Sequence, residues 1–139
     1  MTDNFQILEH TADIGFRAKA SSLPGLFEAA AEALVAIVLD PAEIAPRETI
    51  ELAAQGESNE SLLVNWLSEV LYWLDGERFA LCGFKVHELG DRRIAAAAKG
   101  ERRDSLRHES RLIVKGVTYH QLKIEQAANG WLCEVYLDV

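Results

Sequence analysis

Leu62-Leu63-Val64-Asn65-Trp66-Leu67-Ser68-Glu69-Val70-Leu71-Tyr72-Trp73-Leu74 is too apolar for a helix with one face in water. Its apolar residues recur at three- and four-residue spacings, so the segment reads as a helix. Leu62, Leu63, Trp66, Leu67, Val70, Leu71, Trp73 and Leu74 cover well over half of its circumference. A helix of that kind is buried on more than one side. Ser58 or Asn59 supplies its N-cap. A second helix starts upstream at Leu23, with Ser21 and Ser22 as caps and Pro24 in the first turn, where a missing N–H costs little. Its apolar set is Leu26, Phe27, Ala30, Ala33, Leu34, Ile37 and Val38, and Asp40-Pro41 ends it.

Around these helices the chain reads as strand. Residues 5–10 and 14–20 are short strands joined through Thr11-Ala12-Asp13, and residues 49–54 are a third. Residues 79–89, 94–100, 112–126 and 131–137 follow. Gly90-Asp91-Arg92 separates the first two of these, and Asn129-Gly130, a strong hairpin signal, separates the last two. The order lacks the strand–helix alternation of a parallel sheet. The expectation is an α+β fold of mainly antiparallel sheets packed on two largely buried helices, a β/α/β layering, in one domain spanning residues 1–139. At this length a core forms without disulfides or a structural metal.

The charge excludes more than it identifies. With 22 acidic against 14 basic residues, the formal net charge is −8. That balance argues against sequence-independent binding to a phosphate backbone, so any role with RNA is indirect. No stretch approaches the ~20 apolar residues of a membrane span, and no leader pattern opens the chain, so a cytoplasmic protein is expected. Cys82 and Cys133 lie far apart among apolar neighbours, which suits buried thiols in a reducing compartment better than a bridge.

The chemistry concentrates at strand ends. Asp13 follows the first strand within His10-Thr11-Ala12-Asp13, and Leu137-Asp138-Val139 closes the last one. If those strands are neighbours, Asp13, Asp138 and the Val139 carboxylate converge as an all-oxygen set suited to a hard cation. The plainer alternative is a turn aspartate bonding its own backbone and a frayed terminus. Residues 101–111 form the one basic segment, with Arg102, Arg103, Arg107, His108 and Arg111. They read either as solvated surface or as a docking patch for an acidic or phosphorylated partner. Lys115 and His120 lie on opposite faces of the segment Val114-Lys115-Gly116-Val117-Thr118-Tyr119-His120, as a snorkelling lysine and a half-buried histidine. No nucleophile elbow, phosphate-binding glycine loop, Cys-x-x-Cys pair or His-Glu-x-x-His helix is present.

Four segments together resemble one family: His10-Thr11-Ala12-Asp13-Ile14-Gly15-Phe16, the helix from Leu62 to Tyr72, the strand from Val114 to His120, and terminal Leu137-Asp138-Val139. In order and spacing, over essentially the whole chain, they are similar to the archeases. The resemblance implies a non-enzymatic accessory protein of tRNA splicing that activates the GTP-dependent RtcB-type RNA ligase, promoting its guanylylation and multiple turnover. It also implies a metal site at Asp13, Asp138 and Val139, holding a divalent cation, calcium first and magnesium or manganese next. His10, Arg103, Arg107, His108 and Lys115 are the partner-contact candidates. Ala20, where the family pattern suggests glycine, and Gly116, where it suggests alanine, depart from that pattern without touching a ligand. Two rival readings are a metal-independent interaction or chaperone-like module and a small metal-dependent hydrolase with His10 or His120 as base.

Overall fold

The computed structural model describes residues 4–9 and 14–139. The expected turn His10-Thr11-Ala12-Asp13 lies outside them. Strands β1 (Asn4–Glu9) and β2 (Ile14–Ala20) lead into helix α1 (Leu23–Val38), followed by β3 (Glu48–Gln55) and helix α2 (Asn59–Leu71). Then come β4 (Phe79–Leu89), β5 (Arg93–Arg102), β6 (Gly116–Val117), β7 (Lys123–Ala127) and β8 (Gly130–Asp138). Two antiparallel sheets result. One has the order β1-β2-β8-β6, with β7 also on β8, and the other has the order β3-β5-β4.

The helices lie between the sheets, as their all-round apolar surface requires. Helix α1 meets β1, β2 and β8 on one side and β4 on the other, while α2 meets β3 and β5 on one side and β6 and β7 on the other. Trp66 ties the layers together. It is fully buried, donates its indole N–H to the Phe27 carbonyl of α1 at 2.9 Å, and meets the Phe84 ring of β4 edge-on at 6.1 Å. The α+β, β/α/β expectation is therefore met.

Local chemistry explains most boundaries. The Ser22 hydroxyl caps α1 by accepting from the Gly25 N–H at 3.1 Å. Ser58, rather than Asn59, caps α2, in a reciprocal box with Ser61. After Leu71 the helix widens into a π turn, Tyr72–Gly76, in which the Glu77 N–H reaches the Tyr72 carbonyl at 3.0 Å. Cys82 and Cys133 are free and sit in strands, and burial pushes the Cys133 thiol up to about 12.

One element departs from expectation. Residues 112–126 do not form a single strand. Only Gly116 and Val117 pair with β8 before the Thr118 hydroxyl donates to the Tyr136 carbonyl at 3.0 Å and accepts from the His120 N–H at 3.2 Å. Gln121 then adopts a left-handed backbone, φ 53°, and β7 runs back along β8. The Thr118 N–H still reaches the Tyr136 carbonyl at 3.1 Å, so the pairing is lost just beyond it, where the threonine hydroxyl takes the His120 N–H and Gln121 turns the chain.

Candidate functional site

The ends of β2 and β8 lie side by side. Ile14, the residue after Asp13, pairs with Leu137, the residue before Asp138, and Gly116 pairs with Asp138 itself. The Lys115 N–H donates to the Asp138 carbonyl at 2.7 Å, so the backbone at this strand end is held from the β6 side as well. The side chains of Asp138, Lys115 and Val139 are exposed beside it. Gly15 makes the close approach feasible. A Cβ there would run into the Val135 carbonyl and come within 2.8 Å of the Tyr136 ring, so no larger residue fits without displacing the central strand.

Asp13 and His10 lie outside the described residues, and among the described residues no three His, Cys, Asp or Glu side chains cluster as a metal site. The donor chemistry that remains, one exposed Asp138 carboxylate on a pinned strand end, is short of the several oxygens that a hard cation takes. A concavity lies elsewhere. A groove of about 260 Å³ over α1, lined among others by Phe5, Val35, Pro41, Leu81 and Phe84, is apolar apart from Glu32 and Cys82.

The basic segment folds back on a single carboxylate. Glu101, at the end of β5, accepts from the Ala45 N–H at 2.8 Å, from Arg47 Nε at 2.9 Å and from Arg107 Nη2. The His108 ring, fully enclosed, accepts the Asp104 N–H on Nδ1 at 2.9 Å. Its proton is thereby assigned to Nε2, which lies 2.9 Å from Glu101 and 3.1 Å from the Glu43 carbonyl. The Ala45 N–H first, and then Arg107 and His108, hold the Glu101 carboxyl down at about 2 despite the opposing effect of burial.

Arg103 and His108 are thus not solvated surface. The Arg103 side chain is 2% exposed and donates to the Leu74 carbonyl, Asp75 and Ser110 at 2.9, 3.3 and 2.7 Å. Arg107 stays partly open on Glu101, at 43% exposure, and Lys115 faces solvent. Sequence reasoning missed Glu101 as the hub. Strand alternation turns it away from the helices, and only the returning loop buries it; the run of basic residues downstream was the one available signal.

A β/α/β layer, with no recognisable catalytic constellation among the described residues, defines a small two-sheet α+β protein with both helices enclosed. The model of the Archease protein family (MTH1598/TM1083) matches residues 5–139, and the chain belongs to that family. It is similar to the protein archease of Methanosarcina acetivorans, 36% identical over 97% of this chain and 95% of that one. The protein archease of Pyrococcus abyssi is 38% identical over 94% and 95% of the two chains. Among solved structures, the solution structure of Methanobacterium thermoautotrophicum protein 1598 superposes with a TM-score of 0.79 at 29% identity, covering 97% of this chain and 98% of that one. No helix among the described residues is long and apolar enough to cross a membrane.

Proposed function

We propose that this archease activates a GTP-dependent RtcB-type RNA ligase, promoting guanylylation and multiple turnover, through a cation held by Asp13, Asp138 and the Val139 carboxylate. The observation that carries the reading is the register of Ile14 against Leu137, which makes Asp13 and Asp138 the sequence neighbours of one residue pair. If Asp13 continues that register, its carboxylate and that of Asp138 repel unless a cation joins them, and oxygen donors favour calcium, magnesium or manganese over softer ions. A bound cation would supply concentrated positive charge for the phosphates of a nucleotide. The chain's own part is to fix the backbone of Asp138 through β2 and Lys115 and to leave its carboxylate in solvent. The net charge of −8 fits docking on a basic rim of a nucleic-acid enzyme, with Lys115 and Arg107 as the exposed cations among the partner-contact residues.

The test is ligation turnover by the cognate ligase at substoichiometric enzyme, with GTP and broken tRNA. The protein should convert a single turnover into many, and folded Asp13→Ala and Asp138→Ala variants should not. Full activation by both variants refutes the cation site. Activation that survives chelation favours the metal-independent interaction module.

A further inference from the structure

Arg103 is paired incompletely for a group so deeply enclosed. Its Nη1 is spent on the Leu74 carbonyl of the π turn and on Asp75, and its Nη2 on the Ser110 hydroxyl. Nε, on the same edge of the guanidinium as Nη2, has no partner among the described residues. That edge is the two-pronged fork that matches an oxyanion. The same chain shows it filled elsewhere: Arg17 places both Nε and Nη2 on Glu134 Oε2, at 2.9 and 2.6 Å. At Arg103 one prong meets a neutral hydroxyl and the other meets nothing.

The local charge leans the same way. Asp75, 44% exposed and 3.3 Å away, is the one carboxylate among the described residues in an ion pair with Arg103. Against it stands a second arginine, Arg78, whose carbonyl accepts the Arg103 backbone N–H at 2.8 Å and whose charge acts on the Arg103 guanidinium. Burial first, and then the Arg78 charge, pull the Arg103 guanidinium below its ordinary range, with Asp75 opposing. Arg78 is exposed and holds a left-handed backbone, φ 56°, a conformation in which glycine is relaxed and arginine is strained. Such strain gathers at working sites.

We infer that the Arg103 fork, the exposed Ser110 hydroxyl and Arg78 form a binding site for a phosphate-class oxyanion. A carboxylate has two oxygens, both consumed by the fork. A phosphate monoester has a third to accept the Ser110 hydroxyl and face Arg78. The site is built by the π turn, the end of β5 and the basic loop, different segments from those that carry Asp138, and it stands or falls independently of the cation reading.

The experiment follows the Arg103 Nε–H resonance of nitrogen-15-labelled protein while inorganic phosphate is added, with sodium chloride at matched ionic strength and acetate as comparisons. Phosphate should move that resonance saturably, and chloride should not. Arg78→Gly should weaken phosphate binding about fivefold, the worth of one partly exposed charge contact, without lowering the unfolding temperature, because it relaxes the backbone. Ser110→Ala should also weaken it. A resonance indifferent to phosphate, an unchanged affinity in Arg78→Gly, or acetate binding as tightly as phosphate would each overturn the inference.

Discussion

Replacing Trp66 by phenylalanine tests the claim that α2 is sandwiched rather than laid on a surface. The indole is fully buried, and its N–H donates to the Phe27 carbonyl of the other helix. The substitution removes one buried hydrogen bond, worth about 1 kcal/mol. Phe27 lies inside α1, where its carbonyl also faces the N–H four residues on, so the loss stays near that ordinary value. The missing part of the ring leaves a void between layers that close from two sides, for about 1–2 kcal/mol more. The sum is about 2–3 kcal/mol, or about 5–10 °C in unfolding temperature for a chain of this size. Trp73, in the π turn that follows the helix, is the internal control. It is partly buried, donates to Glu69 of its own helix at 3.2 Å and meets Phe79 edge-on at 6.1 Å, so Trp73→Phe should cost under about 1 kcal/mol. Urea unfolding followed by far-ultraviolet circular dichroism measures both. Equal costs, or a Trp66→Phe cost under about 0.5 kcal/mol, would refute the layered account.

Three further outcomes are expected. Glu101 has a folded pKa of about 2 against an ordinary 4.5, so its stabilising contribution is fully present above about 4.5 and drains away as pH falls toward 2. Glu101→Gln should therefore be less stable at neutral pH and show a shallower acid limb in stability against pH, and an unchanged limb would reject the hub. Ser58→Ala removes half of the α2 capping box and should cost about 1 kcal/mol in urea titrations, whereas Asn59→Ala should cost clearly less. Calcium at a hundredfold excess over its dissociation constant should raise the stability of the protein by about 2.7 kcal/mol in thermal scans, and Asp138→Asn should abolish that rise while leaving the calcium-free transition in place.

The fold was legible wherever burial wrote itself into side-chain choice. The all-round apolar surface of α2 announced sheets on both sides, and Ser22, Pro41 and Asn129-Gly130 marked helix and hairpin limits through local bonding. What the sequence hid depended on partners distant in the chain. The break after Val117 comes where the Thr118 hydroxyl, anchored on Tyr136, takes the His120 N–H and Gln121 turns left-handed, which no local pattern encodes. The burial of Glu101 and Arg103 exists only once residues 103–110 fold back over them, so a run of charges that looked solvated is bonded inside the chain. The proximity of the two strand ends was an inference from acids at matching positions, and the pairing of Ile14 with Leu137 is the part of it that the described backbone carries.

The central place of β8 also sets a timetable. It is the last strand in the chain, yet it separates β2 from β6 and β7, and its Glu134 closes on Arg17 across a sequence separation of 117 residues. A ribosome delivers the first hairpin and α1 long before the strand that completes their sheet. Until then one edge of β2 has no strand to pair with, and the part of α1 that meets β8 stays uncovered, the exposure that invites off-pathway association. Folding governed by so remote a closure is slow for a chain this small, because both helices and four of the five strands of that sheet wait on one late segment to join them.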